Sequence, residues 1–445
     1  MNLPTIADAS GRLQTGKTTS VELVEHCLDT ISRLDSELNS FIAVLADDAR
    51  AAALQADVQR ANSKTVGALH GIPISVKDLI DLRGTPTTAA SRVRTGHLAS
   101  ADAQVLARLR RAGVIFIGKC NLHEFAFGTT GEDSAFGLTR NPHIPEHMAG
   151  GSSSGSAVSV ATGMALASIG TDTGGSVRIP AAACGVVGLK PTFGEVSCEG
   201  VVPLARTLDH VGPLGITVDD VDMLYRAMHE RDNPVREEPT KNGRLGVPRR
   251  YFLDILDGEV RALFDATIDR VRSTGCLVET VEITYAAEIR KAYLHTQLRE
   301  AFEAHTNMLE KHASDYTPNV RERLELGRSV SDADYTRAQL TRDVLRDQVD
   351  MALEERQALI LPTLSIPAPP LGVTEVTIGE HTSDLRSLML RQTQLFNLTG
   401  HPAISIPCGK TSDGLPCAVQ LVGHLGKTDQ LLSLASRYEQ SIRQV

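Results

Sequence analysis

Short apolar runs alternate with stretches of helical spacing along the first half of the chain. The runs at 72–77, 114–118 and 167–173 have the length of buried strands, and residues 103–113 carry apolar side chains at helical spacing. Strands that alternate with helices are typical of α/β proteins, in which helices cover both faces of a sheet. The pattern therefore predicts an α/β protein with a mostly parallel central sheet between two helical layers.

Helical patterns dominate the N-terminus and the middle of the chain. Residues 1–65 begin with helices, and residues from about 245 to 355 are largely charged and poor in glycine. We interpret residues 1–445 as a single domain in which the first segment packs on the sheet and the second forms a helical layer or cap. The polar residues 233–243 are predicted to be a linker.

Residues 11–18, GRLQTGKT, match the P-loop pattern of nucleotide-binding proteins. That pattern requires a buried strand before its first glycine. The ten residues that precede Gly11 have helical spacing instead, and Thr19 and Glu22 stand at the spacing of a capping box for the next helix. We interpret the match as a chance occurrence within two helices joined by a turn, with nucleotide binding as the alternative.

Composition and charge limit the partners that we expect. The net charge is −9 with acidic and basic residues mixed along the chain, which argues against a nucleic-acid surface. The seven cysteines show neither CxxC nor zinc-ligand spacing, so we expect reduced thiols, a cytoplasmic location and no bound metal. We find no signal peptide and no run of about 18 apolar residues, and therefore expect no membrane association.

Two loops rich in glycine and serine carry the densest chemistry of the chain, GGSSSGSA at 150–157 and GTDTGGSVRIPAAACG at 170–185. Ser176 follows two glycines between a predicted strand and a predicted helix. The amides of Thr173, Gly174, Gly175 and Ser176 can then form a concavity that stabilises an oxyanion. The alternative is a helix N-cap or an anion-binding turn.

The first loop and the preceding strand leave further alternatives open. GSSSG also matches the nucleophile elbow GxSxG, which would make Ser153 the nucleophile, whereas a plain helix cap is the simpler interpretation. Lys77 closes an apolar run directly before Asp78. Such a lysine is usually solvated or paired with a carboxylate, but a desolvated lysine can be neutral near pH 7 and act as a base.

These segments resemble the amidase signature family in their order and spacing. Lys77 in ISVKD precedes Ser152 by 75 residues, and Ser152 precedes Ser176 by 24. The one small departure is Ser154, where many members have glycine. The likeness extends over nearly the whole chain, including 118–128, 208–214, 334–343 and 396–409. The resemblance implies an α/β/α sandwich with a large mixed, mostly parallel central sheet.

The resemblance also implies a Ser–cisSer–Lys triad. Ser176 is then the nucleophile, Ser152 follows a cis peptide bond from Gly151 and bridges to the lysine, and Lys77 is the base. Asp172 and Arg178 are expected to support the loop, although a purely structural ion pair is the alternative. Supporting roles thus fall to Gly151, Ser153, Asp172 and Arg178.

The substrate pocket is expected at 125–132, after Val201 and at 388–400. Aromatic side chains there would favour aryl or alkyl substrates, although each phenylalanine is equally suited to the core. The candidate pocket residues are Phe125, Phe127, Gly128, Thr129 and Phe396.

The expected function is a serine hydrolase that cleaves a non-peptide C–N acyl bond of a small amide, anilide or carbamate (a urethanase in the last case). No cofactor is implied, and a monomer or homodimer is expected. The first alternative is the glutamine-hydrolysing A subunit of a tRNA-dependent amidotransferase, which works in a complex. Against it, the chain lacks an NLARYDGVRYG-like stretch between 290 and 360. An inactive binding protein on the same fold is a further alternative.

Overall fold

The computed structural model of the protein describes residues 4–64, 67–229 and 243–443. All of the predicted linker at 233–243 except Gly243 lies outside these ranges. In the described part of the chain, no helix is long and apolar enough to cross a membrane.

Eleven strands form one sheet in the order β1-β3-β2-β4-β6-β5-β12-β13-β9-β7-β8, and β10 and β11 form a separate hairpin. The strands are β1 Phe41–Val44, β2 Pro73–Lys77, β3 Ile115–Cys120, β4 Ala167–Asp172, β5 Val187–Lys190, β6 His210–Gly215, β7 Arg244–Pro248, β8 Leu277–Val281, β9 Ala358–Pro362, β10 Glu375–Ile378, β11 His381–Asp384, β12 Ala403–Lys410 and β13 Pro416–Val422.

Helices flank this sheet. They are α1 Ile6–Gln14, α2 Ser20–Leu38, α3 Ala46–Ala61, α4 Gln104–Arg111, α5 Ser154–Ala161, α6 Arg178–Cys184, α7 Val218–Met228, α8 Gly258–Ser273, α9 Ile289–His312, α10 Pro318–Leu326, α11 Asp332–Leu353, α12 Leu385–Leu390, α13 Gln394–Leu398 and α14 Thr428–Ile442. The predicted α/β class with a large mixed sheet between helices is confirmed.

The sheet is not mostly parallel, and this part of the prediction is wrong. Between the described strands, the pairs β2–β3, β2–β4, β7–β8 and β7–β9 are parallel, whereas the other six pairs in the large sheet are antiparallel. Parallel neighbours need a long crossover connection, whereas β12 and β13 are joined by a short turn at 411–415. The alternation of strands and helices therefore predicts only the parallel parts of the sheet.

The local sequence explains the start of the chain. The GRLQTGKT segment spans the end of α1 and the turn that follows, and residues 4–10 contain no strand. Thr19 caps α2 through the predicted capping box with Glu22. The geometry of a phosphate-binding loop is therefore absent from these residues, in agreement with a chance motif match.

Candidate active site

The parallel pairing of β2 and β4 brings the candidate residues together. Lys77 is the last residue of β2, a strand that is buried along its whole length, and β4 ends beside it at Asp172. Because the carboxyl ends of parallel strands lie at the same edge of a sheet, the loop after β4 starts next to the Lys77 side chain. The 170–185 segment supplies both this loop and α6 behind it.

Three hydroxyl groups surround the Lys77 ammonium. Its Nζ lies 2.8 Å from Ser152 Oγ, 3.0 Å from Ser153 Oγ and 2.8 Å from Thr171 Oγ1. The side chain is fully buried, and no carboxylate of the described residues contacts it. Lys77 is therefore neither solvated nor paired with a carboxylate of the described residues, which are the two usual states of a lysine at the end of a strand.

The neighbouring Asp78 leaves Lys77 unpaired because it points elsewhere. Successive side chains of an extended chain project to opposite sides. Asp78 pairs instead with the buried Lys119, with 2.7 Å between Oδ1 and Nζ, and also accepts the Thr88 backbone N–H. The ion pair with Lys119 thus occupies the Asp78 carboxylate, which would otherwise neutralise Lys77.

Burial lowers the pKa of Lys77 to about 7, against the weaker opposing attraction of Asp172 and Asp209. A carboxylate in direct contact would have stabilised the charged form and kept the pKa high. Near neutral pH a substantial share of Lys77 is therefore an uncharged amine with a free lone pair. That is the form in which a lysine can accept a proton.

The hydrogen-bond directions favour Ser152 as the proton donor. Ser153 Oγ donates to the Thr171 carbonyl at 3.1 Å, so its lone pairs face Lys77. A neutral amine has two N–H groups and one lone pair. When the N–H groups bind Ser153 and Thr171, the lone pair is left for the Ser152 hydroxyl.

Backbone contacts hold the two glycine–serine loops against each other. The peptide bond between Gly151 and Ser152 is cis, as the family resemblance implies. The Ser153 N–H donates to the Ser176 carbonyl at 3.1 Å. A Cβ at Gly151 would lie 3.0 Å from the backbone of Thr129, Thr130 and Gly131, which explains the glycine at this position.

Ser176 is the member of the proposed triad that a substrate can reach. It is 5% exposed, whereas Lys77 and Ser152 are 0% exposed. Within the described residues its hydroxyl makes no hydrogen bond. Ser153, by contrast, is completely buried and its proton is committed to Thr171, so the structure does not support the nucleophile-elbow hypothesis.

Three successive backbone amides of the loop after β4 are unpaired among the described residues. In the part of the chain that the structure describes, the amides of Gly174, Gly175 and Ser176 have no acceptor. The next two amides, of Val177 and Arg178, donate to the Asp172 carboxylate. The carboxylate thus fixes the end of the loop and leaves the three preceding amides without a hydrogen bond to any described residue.

Asp172 and Arg178 form a buried ion pair that supports this loop. Arg178 Nη2 lies 3.0 Å from Asp172 Oδ1, and both side chains are fully buried. Asn397 and Gln420 occupy further hydrogen-bonding positions of the Arg178 guanidinium. The pair contacts the backbone of the loop rather than the three hydroxyl groups around Lys77, which agrees with a supporting role.

The expected pocket residues lie in two different environments. Gly128 and Thr129 line a cleft of about 320 Å³ together with His123, Arg323 and Arg386. The three phenylalanines, in contrast, are buried and do not line this cleft, and Phe125 packs against the rings of His305 and Tyr316. Substrate binding by Phe125, Phe127, Gly128, Thr129 and Phe396 stays a prediction.

Several groups of the site carry no signal in the local sequence. Asp209 accepts hydrogen bonds from Thr173 Oγ1 at 2.6 Å and from the amides of Leu204 and Ala205, and burial raises its pKa to about 6. These hydrogen bonds connect Thr173, at the start of the 173–176 loop, to the segment before β6. Asp209 belongs to the LDHVGPL segment, which only the family resemblance singled out. Its partner Thr173 is 36 residues away along the chain, so no local pattern indicates the contact.

The described residues contain no group of three or more His, Cys, Asp or Glu side chains that could hold a metal ion. The expectation that the protein binds no metal stays a prediction.

Comparison with known proteins agrees with this architecture. A family model described as Amidase matches residues 22–432. The A subunit of Glutamyl-tRNA(Gln) amidotransferase from Roseiflexus sp. (strain RS-1) is 36% identical, covering 98% of this chain and 96% of the relative. A solved structure described as an amidase superimposes with a TM-score of 0.94 at 36% identity over 99% of this chain and 100% of its own.

The solved structure of the corresponding A subunit of Glutamyl-tRNA(Gln) amidotransferase from Thermotoga maritima gives a TM-score of 0.77 at 32% identity, covering 95% of this chain and 91% of its own. The protein therefore belongs to the Amidase family, whose members in these comparisons act on C–N bonds.

We expect the reactivity of Ser176 to rise with pH. Only the neutral form of Lys77 accepts a proton, so the rate of labelling by an alkyl fluorophosphonate should increase through about pH 7 and then level off. The measurement is the second-order labelling rate between about pH 5 and 9. A rate that is independent of pH over this range would contradict the role of Lys77.

Replacing Ser153 by alanine should slow the same labelling about tenfold or more, because one N–H of Lys77 loses its acceptor and the lone pair is no longer directed at Ser152. Ser154→Ala is the matched control, since within the described residues the Ser154 hydroxyl donates to Thr139 Oγ1 at 3.3 Å and makes no hydrogen bond to Lys77. Equal rates in the two variants would show that Ser153 does not orient the amine.

Proposed function

We propose that the protein hydrolyses the C–N acyl bond of a small amide, anilide or carbamate through an acyl-enzyme on Ser176. The observation that carries this proposal is the buried Lys77, which lies 2.8 Å from Ser152 and touches no carboxylate of the described residues. A lysine in this state is a base at neutral pH, and the adjacent loop offers free amides for an oxyanion.

In the proposed mechanism, Ser176 Oγ attacks the carbonyl carbon while its proton passes to Ser152 and the Ser152 proton passes to Lys77. The amides of the 173–176 loop bind the oxygen of the tetrahedral intermediate. When the intermediate collapses, the C–N bond breaks and the leaving amine takes a proton back from Lys77 through Ser152. Water then hydrolyses the ester by the same steps and frees the serine.

The group on the other side of the carbonyl is not part of this proton transfer. Amides, anilides, carbamates and ureas are therefore all compatible with the same three residues. The TM-score is 0.94 with a structure described as an amidase and 0.77 with the amidotransferase chain, which favours the hydrolase, while a monomer or homodimer stays a prediction.

A second candidate is the hydrolysis of glutamine as the A subunit of an amidotransferase. The first curated relatives carry that name, and this support outweighs the missing NLARYDGVRYG-like stretch. The cleft beside Thr129 adds an observation of its own. Arg323 and Arg386 both donate to the Phe127 carbonyl, and neither forms an ion pair within the described residues.

Two cations that converge on one carbonyl oxygen suit an anionic group of the substrate, such as the α-carboxylate of glutamine, and Glu132, Asp133 and Asp384 line the same cleft. In this second candidate the protein would need partner subunits to use the ammonia that it releases. The two candidates thus differ in the acyl donor and in the assembly, and share the attack by Ser176.

A panel of an amide, an anilide, a carbamate, a urea and glutamine distinguishes the candidates. We expect turnover of at least one member by the purified chain, acylation of Ser176 detected by mass spectrometry, and loss of about 10³-fold or more in Ser176→Ala. Retained activity in Ser176→Ala, or an acyl group on Ser153, would refute the mechanism. Turnover of glutamine alone would establish the second candidate.

Arg323→Met should raise the KM for glutamine about tenfold or more, because a hydrogen-bonded carboxylate loses its cation. The kcat for an uncharged anilide should stay within about twofold, since that substrate has no charge to pair. Arg321→Met on the same helix is the control, because Arg321 does not line the cleft. An equal effect on both substrates would show that Arg323 supports the fold rather than the anion.

A further inference from the structure

The hydroxyl of Tyr293 lies against the loop that precedes Ser176. Tyr293 is on α9 and is 2% exposed. A Cβ added at Gly174 would come within 2.0 Å of the Tyr293 hydroxyl oxygen, so only glycine lets the loop and the phenol approach each other this closely. The phenol oxygen therefore lies beside Gly174, a residue whose own amide has no acceptor among the described residues.

A chain of hydrogen bonds fixes the direction in which this hydroxyl acts. Arg386 Nη2 donates to Gln297 Oε1 at 2.6 Å, and Gln297 Nε2 donates to the Tyr293 hydroxyl oxygen at 2.6 Å. A guanidinium can only donate, so the Gln297 atom that faces it must be the carbonyl oxygen. The amide nitrogen then faces Tyr293, whose oxygen accepts and whose proton points away from Gln297.

The proton of Tyr293 has no acceptor in residues 4–64, 67–229 and 243–443. The carbonyl of the adjacent Gly174 accepts a hydrogen bond from Thr393 Oγ1 at 2.5 Å and none from Tyr293. Burial raises the pKa of Tyr293, so the hydroxyl stays protonated throughout the physiological range. Burial and the nearby Arg323 lower the pKa of Arg386 only to about 9, so the guanidinium that sets the direction remains charged at neutral pH.

A buried donor without an acceptor is costly, and such groups usually meet a water or a ligand. Here the unpaired hydroxyl lies beside Gly174, the first of three successive residues, Gly174 to Ser176, whose amides have no acceptor among the described residues. Donors that converge without any acceptor define a place for an oxygen atom with negative charge. A neutral phenol proton adds to such a site without the desolvation cost of a further cation.

We propose that Tyr293 is a catalytic residue that donates a hydrogen bond to the oxyanion of the tetrahedral intermediate, and that Gln297 and Arg386 are positioning residues that set its direction. The proposal rests on the proposed function, in which Ser176 attacks a carbonyl carbon. Because the oxygen gains charge during the attack, the bond strengthens on the way to the transition state.

An alkyl fluorophosphonate tests this without knowledge of the natural substrate. The serine oxygen displaces fluoride from phosphorus, and the phosphoryl oxygen takes the place of the oxyanion. Tyr293→Phe keeps the ring and removes only the donor, and we expect labelling of Ser176 to slow about tenfold or more. Gln297→Glu should slow it equally, because a carboxylate still binds Arg386 but captures the Tyr293 proton.

The double variant should label no more slowly than either single variant, since both changes remove the same hydrogen bond. The pH at which labelling reaches half its maximum should stay near that of the unmodified protein, because Lys77 is untouched. A slowing that came from disturbed packing would instead add up in the double variant or shift this pH dependence, and either result would overturn the proposal.

Tyr225→Phe is the matched control, because Tyr225 is equally buried but donates to Glu195 at 2.8 Å, away from the loop. Tyr293→Phe that labels like the unmodified protein would refute the inference, and so would a Gln297→Glu variant that labels normally. Labelling that persists in Ser176→Ala would instead refute the proposed function, so the two failures are distinguishable.

Discussion

A fully buried lysine without a carboxylate partner is the constraint on which the candidate site depends. Taking an ammonium out of water is unfavourable, and the three surrounding hydroxyl groups compensate only in part. In the proposed mechanism this cost is necessary, because an ion pair would abolish the basicity of Lys77. The fold maintains the situation by pairing the adjacent Asp78 with Lys119 on the other side of the chain.

The ion pair between Asp172 and Arg178 supports the loop that precedes Ser176. Asp172 and Arg178 form a fully buried ion pair, and the Asp172 carboxylate also accepts hydrogen bonds from two amides of the loop. Its negative charge raises the pKa of Lys77 only as a secondary influence behind burial. The Asp172 carboxylate thus holds the 173–176 loop in place without contacting Lys77, the proposed base.

Sequence patterns predicted the elements that have long apolar runs, such as β2, β3 and β4, and missed β1, β5, β6 and β8. β1 and β5 have only four residues each, and β6 contains two glycines and a proline, so local preference for a strand is weak. Their place in the sheet comes from pairing with distant segments. For the same reason the direction of most strand pairs could not be predicted from alternation alone.

The proposed triad is accessible from sequence because its three residues lie in compact motifs of characteristic order. The groups that complete the site are not, because Tyr293, Arg323 and Arg386 stand in helices without any unusual local pattern. Their proximity depends on the packing of α9, α10 and α12 around the loop after β4. Tertiary packing, rather than residue type, decides which arginines line the cleft and which tyrosine lies against the loop after β4.

The contacts of Arg178 have a consequence for the order in which the molecule becomes functional during translation. Its partners Asn397 and Gln420 follow it by 219 and 242 positions, and Gln420 belongs to the final hairpin of the sheet. A nascent chain leaving the ribosome therefore carries both glycine–serine loops long before it contains the residues that hold the guanidinium in place. The support of the loop that precedes Ser176 is thereby completed only after residue 420 has been synthesised.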